Sequence, residues 1–181
     1  PYCSAKQMIA AICGFEDILD RGMEPKTIQA VTVHVPKNYA AMIDHGVIEG
    51  IRLSSLTSAP YQLAMVAYHR DSLFDVARSD YVLTDYVTDF MAKVSVETDP
   101  DLGAHFPANW PARLEVKTAD GVEEITVIDA PGDPANPLNE REIETKFHAF
   151  ADGIIGEGAA GEWFNSARHA IMDKTALRSE E

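Results

Sequence analysis

The sequence predicts an α+β domain, in which helices pack on a mainly antiparallel sheet of about four strands. Three observations support this prediction. Apolar residues near the N-terminus recur at helical spacing, the segment 111–131 alternates as a hairpin does, and strand-forming segments stand apart from helical ones. Strands separated from helices in this way are typical of the α+β class. The 181 residues are enough for one domain with a real hydrophobic core.

The first helix is predicted between Ser4, as its N-cap, and Gly22, as its C-terminal stop. One of its faces is apolar, because residues three and four positions apart lie on the same side of a helix. That face consists of Met8, Ile12, Phe15 and Leu19.

A half-buried strand follows over residues 28–36, where apolar and polar residues alternate and Pro36 ends the pattern. A short helix and a loop broken by Gly46 and Gly50 come next. The segment 54–71 then predicts a buried helix, with Ser58 as N-cap and Pro60 in the first turn.

Shorter helical pieces are predicted over 72–83 and 84–94, with a second strand around 94–96. The clearest signal is the hairpin of 111–131, in which Asp120-Gly121 supplies the turn between two alternating segments. A helix capped by Asn139 and ended by Gly153 follows. Residues 154–181 are then expected to form a C-terminal linker and helix.

Composition excludes several functions. The formal net charge of −14 is unsuited to binding nucleic acid, whose phosphates attract clustered Lys and Arg. No apolar stretch is long enough to span a membrane. The two cysteines make a poor disulfide pair, which favours a reduced, cytoplasmic protein. The six histidines do not show metal-ligand spacing, so we expect no metal site.

Several residues are candidates for a site. Tyr61 follows a proline at the start of the buried helix, where it is either a packed aromatic with a satisfied hydroxyl or an aimed proton donor. His45 and Arg52 flank the glycine-containing loop "DHGVIEGIR" and could face a ligand, although a surface loop with incidental charges is an equal alternative. Lys6 lies near the positive end of the first helix, where a carboxylate ligand would be favoured, unless it is merely solvent-exposed.

Four segments together resemble a known family. They are "PYCSAKQ", "SSLTSAPYQLAMVA", "FPANWPARLEVKTADG" and "GDPANPLNEREIETKF", which occur in this order over nearly the whole chain. They look like successive landmarks of the C-terminal domain of the MmgE/PrpD family. That family includes 2-methylcitrate dehydratase, cis-aconitate decarboxylase and iminodisuccinate epimerase.

The resemblance implies that residues 1–181 form the smaller α+β domain of a two-domain enzyme, whose larger helical N-terminal domain is absent from this chain. The site would lie in the cleft between the two domains, and Tyr61 would be its catalytic residue here. A family lysine would lie just ahead of Pro1, and the histidine of decarboxylase-like members matches Ala5, which makes a decarboxylase less favoured. The chain begins with Pro1 rather than methionine, as we expect of a fragment.

We therefore expect a cytoplasmic lyase of the 2-methylcitrate dehydratase type, acting on a small di- or tricarboxylate without metal or organic cofactor. Lys6, His45, Arg52 and Ser58 are the expected substrate-binding residues. The expected partners are the helical domain and, for the full-length protein, a second copy of itself. An epimerase or isomerase of the same family, or a domain that binds a ligand or partner without catalysis, remain the alternatives.

Overall fold

The computed structural model describes the backbone of residues 2–74 and 83–178, and the side chains of residues 2–73 and 83–171. The chain divides into two compact units, Pro1–Pro137 and Leu138–Glu181. The helical prediction for 72–83 falls largely on residues 75–82, which lie outside the described residues.

The first unit contains six α-helices and four strands among its described residues. The helices are α1 (Lys6–Asp20), α2 (Lys37–Ile43), α3 (Arg52–Thr57), α4 (Ala59–Tyr68), α5 (Asp85–Met91) and α6 (Pro100–Gly103). The strands are β1 (Ala30–Val35), β2 (Val94–Thr98), β3 (Ala112–Lys117) and β4 (Val122–Val127). Short 3-10 turns occupy Pro25–Thr27 and Arg70–Phe74.

The four strands form one sheet in the order β2-β1-β3-β4. The predicted α+β class and the β3–β4 hairpin are confirmed, and β1 pairs with β3 in the antiparallel sense. The strands β1 and β2, however, run parallel, with Val33 opposite Val96. The sheet is therefore mixed, because the helices between β1 and β2 return the chain to the end of the sheet where β1 began.

The core lies between the sheet and the helices α1 and α4, which pack on it and on each other. Val31, Val33 and Leu114 point toward these helices and are fully buried. The residues that alternate with the apolar ones along the strands are polar, and Ser95 and Glu97 on β2 are exposed. His34 of β1 is buried on this polar face, beside Glu97 and Glu115. One face of the sheet is thus packed on the core and the other is polar.

Helix α1 approaches the sheet most closely at Gly14. A Cβ atom at this position would lie 3.0 Å from Leu114, 3.1 Å from Ile125 and 3.3 Å from Val127. The absence of a side chain therefore lets the helix lie directly on β3 and β4. This close packing fixes the direction of α1 relative to the sheet. It therefore also fixes the position of the first turn of α1, which contains Lys6.

The second unit is a helical hairpin of α7 (Glu140–Ile155) and α8 (Glu157–Arg178). The predicted cap of α7 is confirmed, since Asn139 and Glu142 form a reciprocal capping box. The helix does not end at Gly153 but continues to Ile155, and Gly156, with a φ of 82°, separates it from α8. Phe147 and Phe164 pack together between the two helices, with ring centroids 5.4 Å apart.

Within the described part of the chain, no helix combines the length and the apolar character that crossing a membrane requires.

Candidate functional site

Helix α1 begins against two segments that are distant in sequence. The amide of Ala5 and the hydroxyl of Ser4 both donate to the carbonyl of Leu56, at 3.0 and 3.2 Å, and the amide of Cys3 donates to the carbonyl of Leu73 at 2.8 Å. The prediction that Ser4 caps α1 is wrong: Ala5 is the N-cap residue, and the Ser4 hydroxyl is bonded to Leu56 instead. These bonds fix the N-terminal segment beside α3.

Lys6 is the first residue of α1, and its ammonium group forms an ion pair with the carboxylate of Asp133. Asp133 lies in the turn that follows β4, within the "GDPANPL" segment. The Lys6 side chain is 43% exposed, whereas the Asp133 side chain is only 10% exposed. The N-terminal and "GDPANPL" segments, which the sequence separates widely, are thus in direct contact.

His45 lies in the loop between α2 and α3, and its ring is bonded to that loop and to both flanking helices. Nδ1 lies 2.8 Å from the carbonyl of Gly46, and Nε2 lies 3.0 Å from the carbonyl of Met42 and from the hydroxyl of Thr57. A neutral imidazole can donate to only one of these carbonyls. The ring therefore helps to hold the loop in place against α3.

Ser58 connects the His45 loop to the helix that carries Tyr61. Its hydroxyl donates to the carbonyl of His45 at 2.5 Å and accepts from the amide of Tyr61 at 3.2 Å. Ser58 is the N-cap of α4, as predicted, and Pro60 lies in the first turn. Ser58 itself is fully buried, so both of its bonds lie inside the domain.

Tyr61 lies in the hydrophobic core of the first unit and is 0% exposed. Of the two alternatives for this residue, its complete burial fits the packed aromatic rather than a proton donor aimed at an open surface. Nearly every residue of α4 is buried, because this short helix is apolar on most of its faces. Pro60 and the Ser58 cap determine where α4 begins, but they do not determine which face of α4 is exposed to solvent.

The Ser58 hydroxyl thus joins three of the predicted residues through the backbone, since it bonds the carbonyl of His45 and the amide of Tyr61. Lys6 follows Ala5, whose amide is bonded to the carbonyl of Leu56 two residues before Ser58, and Arg52 begins α3 as an exposed residue. The first turn of α1 also contacts the end of α2, just before this loop, because the side-chain amide of Gln7 lies 3.0 Å from the sulfur of Met42. The candidate site is therefore the start of α1 together with the loop 44–51 and the start of α4.

A charge network around the buried Glu16 of α1 was not predicted from the sequence. Glu16 accepts a hydrogen bond from the phenol of Tyr2 and another from Arg70 Nε, the latter at 2.7 Å. The Arg70 guanidinium also forms a bidentate pair with Asp20, at 2.6 and 2.9 Å. Hydrogen bonding to Asp20 raises the pKa of Arg70, and this same bond lowers the pKa of Asp20.

This network ties the N-terminal segment to α1 and to the turn after α4. Burial, and then the bond to Glu16, raises the pKa of Tyr2 far above its usual value. Burial likewise raises the pKa of Cys13 to about 11, so that it is a thiol at neutral pH and a poor nucleophile. The sequence does hold one signal of the network: Glu16 is a carboxylate four positions after Ile12, on the apolar side of α1.

Metal binding has no support among the residues with described side chains, where no group of three or more His, Cys, Asp or Glu is arranged to hold an ion. Cys3 and Cys13 are both free thiols.

The chain is thus an α+β domain with a candidate site that consists of the N-terminal ends of α1 and α4 and the loop 44–51. A family model for the MmgE/PrpD C-terminal domain matches residues 2–167. The chain therefore belongs to the MmgE/PrpD family, as a C-terminal domain. A comparison with curated proteins gave no significant match.

Proposed function

We propose that this chain is the C-terminal domain of a cytoplasmic hydro-lyase that dehydrates a small di- or tricarboxylate, of the 2-methylcitrate dehydratase type. The family match over residues 2–167 is the observation that supports this proposal most directly. Under it, a helical domain N-terminal to this chain completes the site, and the full-length protein is a homodimer.

The reaction needs a base, an acid and cations. A base removes the proton from the carbon next to a carboxylate, the carbon–oxygen bond to the hydroxyl breaks, and a double bond forms between the two carbons. The leaving hydroxide takes a proton and departs as water. We assign the base to the helical domain and the proton donor to Tyr61.

Cationic and polar groups would hold the carboxylates and spread the developing negative charge. Lys6 is suited to this task, because its ammonium group is partly exposed at the start of α1, whose first turn contains no acidic residue. Arg52 is exposed on the neighbouring α3, and His45 lies in the loop between α2 and α3. Ser58, which is fully buried, would act by holding the His45 loop rather than by touching the substrate.

The burial of Tyr61 sets a condition on its role. Since the residue is 0% exposed in this unit, its hydroxyl reaches a substrate only if the side chains covering it move aside when the two domains close. Domain closure over a substrate is a common way to complete a catalytic site.

The proposal is tested by assaying the full-length protein and this chain separately on 2-methylcitrate, citrate and cis-aconitate, with product identified by mass spectrometry. We expect the full-length protein to dehydrate 2-methylcitrate or citrate and the chain alone to dehydrate neither, although circular dichroism should show that the chain is folded. Because cis-aconitate has no hydroxyl group to lose, it tests for decarboxylation or hydration instead. In deuterium oxide, an epimerase would exchange a carbon-bound proton without losing water. Turnover by the chain alone would refute a site shared between two domains.

A further inference from the structure

The ion pair between Lys6 and Asp133 joins residues 127 positions apart, and it lies wholly within the first unit. Its two members differ in exposure: the Asp133 side chain is largely buried, whereas nearly half of the Lys6 side chain is accessible. The carboxylate therefore belongs to the body of the domain, and the ammonium group lies at the boundary with solvent.

Asp133 is held independently of Lys6. Its Oδ2 atom accepts a hydrogen bond from the amide of Ala130 at 2.9 Å, and its own amide donates to the carbonyl of Ala130 at 2.9 Å. Its carbonyl accepts from the amide of Asn136, also at 2.9 Å. Because the turn fixes Oδ2, the remaining oxygen Oδ1 has a set position, and it is this oxygen that contacts Lys6.

A lysine ammonium has three N–H donors on a flexible stem. The contact with Oδ1 uses one of them and restricts the stem, which leaves two for another anion. An exposed lysine without such a partner would lose side-chain entropy on binding a carboxylate, and a lysine already held loses less. The buried carboxylate therefore prepares Lys6 for a ligand, because it holds the ammonium group in place and leaves two of its N–H donors for the ligand.

We propose that Asp133 is a positioning residue that holds the Lys6 ammonium group where it binds one carboxylate of the substrate. This inference rests on the proposed function for the class of substrate, a small polycarboxylate. It adds the residue that sets the geometry of Lys6, and it assigns the "GDPANPL" turn a part in the site.

The test uses Asp133→Asn in the full-length protein, because the amide oxygen can still accept from Ala130 while the charge is lost. We expect KM for the polycarboxylate to rise by about tenfold and kcat to change by less than about threefold, the pattern of lost ground-state binding. Asp133→Glu should recover part of the loss. Asp120→Asn, an exposed acid in the hairpin turn, is the matched control and should change neither constant.

A double-mutant cycle separates positioning from general stability. If Asp133 acts through Lys6, then adding Asp133→Asn to Lys6→Met should leave KM unchanged from the Lys6→Met value. Equal effects of Asp133→Asn with and without Lys6 would overturn the inference, as would an unaltered KM in a folded Asp133→Asn variant. Circular dichroism checks the fold of each variant.

A second readout does not need turnover. The rate at which an amine-reactive ester acylates Lys6 is followed by peptide mass spectrometry, with and without citrate. We expect citrate to protect Lys6 in the native protein and to protect it less in Asp133→Asn. Citrate protection in a protein that dehydrates none of the tested acids would contradict the proposed function and support the inference. Absence of protection in the native protein would contradict the inference alone.

Discussion

At the scale of single residues, Ser58 has the best defined role in the candidate site. Its one hydroxyl caps α4 and holds the carbonyl of His45, so the loop and the helix keep a fixed relation. The cap could be predicted from sequence because it depends on residues only three positions apart. The bond to His45 could not, since it depends on how the loop 44–51 folds back.

Tyr61→Phe in the full-length protein is the direct test of the catalytic assignment. The ring remains, so the fold should be kept, and loss of a positioned proton donor should lower kcat by about 10²–10⁴-fold. The measurements are kcat on the polycarboxylate and the melting temperature of the same variant. An unchanged kcat would end the catalytic assignment of Tyr61.

Tyr39 supplies the matched control for that experiment. It is also a buried tyrosine, and its hydroxyl donates to the carbonyl of Pro111 at 2.5 Å, away from the candidate site. Tyr39→Phe leaves that buried carbonyl without this donor, so stability should fall by about 1–3 kcal/mol while kcat stays the same. Tyr61→Phe behaving like Tyr39→Phe would indicate a purely structural tyrosine.

At the scale of elements, the position of α1 on the sheet decides where the candidate site begins. Its apolar face was predictable from spacing alone, and Met8, Ile12 and Phe15 are indeed fully buried. The partners of its polar residues were not predictable, because Lys6 meets a turn 127 positions away and Glu16 meets Arg70. Long-range pairs of this kind leave no local pattern in the sequence.

The sheet also combines features that the local sequence predicts with a long-range feature that it does not predict. Each strand was found from its alternation, and the hairpin from its Asp-Gly turn, because these signals are local. The parallel pairing of β1 with β2 depends on the path of the chain between the two strands, which no short-range pattern encodes. The end of α7 was misplaced for a related reason: Gly153 adopts ordinary helical geometry, whereas Gly156 has the positive φ that stops the helix.

Gly14→Ala tests the close contact of α1 with the sheet. The added methyl group would lie within 3.3 Å of three side chains on β3 and β4, so we expect the free energy of unfolding to fall by about 1–3 kcal/mol. Gly153→Ala is the control, because it lies in a helix with open space around its Cβ position, and it should be neutral or stabilising by up to about 1 kcal/mol. Urea denaturation measures the free energy of unfolding of both variants. An unchanged value for Gly14→Ala would show that the side chains of β3 and β4 can move to accommodate the methyl group.

At the scale of the whole molecule, the surface beside the candidate site is apolar. Apolar side chains that are at least half exposed surround the candidate site: Met42, Ile48, Ile51 and Leu53. Ile48 and Ile51 lie in the loop 44–51, which is not loosely held, since the Ser54 hydroxyl accepts from the amide of Ile48 at 2.8 Å. A fixed apolar surface beside a polar site is typical of a protein–protein contact.

We propose that the helical domain of the same protein covers this apolar loop, and the last prediction follows from that assignment. Without the helical domain, a second copy of the chain is the nearest apolar substitute, so the isolated chain should associate reversibly at high concentration, against its net charge of −14. Raising the salt concentration should strengthen the association, because it screens the charge repulsion between copies. Sedimentation velocity over a range of concentrations measures both effects.

The variant Ile48→Ser with Leu53→Ser should abolish that association, because it removes the two most exposed apolar side chains of the loop and of the start of α3 that follows it. Val122→Ser is the matched control, since Val122 is an equally exposed apolar residue on the edge strand β4, away from the loop, and its replacement should leave the association intact. In the full-length protein the double variant should raise KM or lower kcat by at least about tenfold, because domain closure completes the site. A chain that stays monomeric at every concentration, or a double variant with native kinetics, would show that this loop is not the surface on which the helical domain closes.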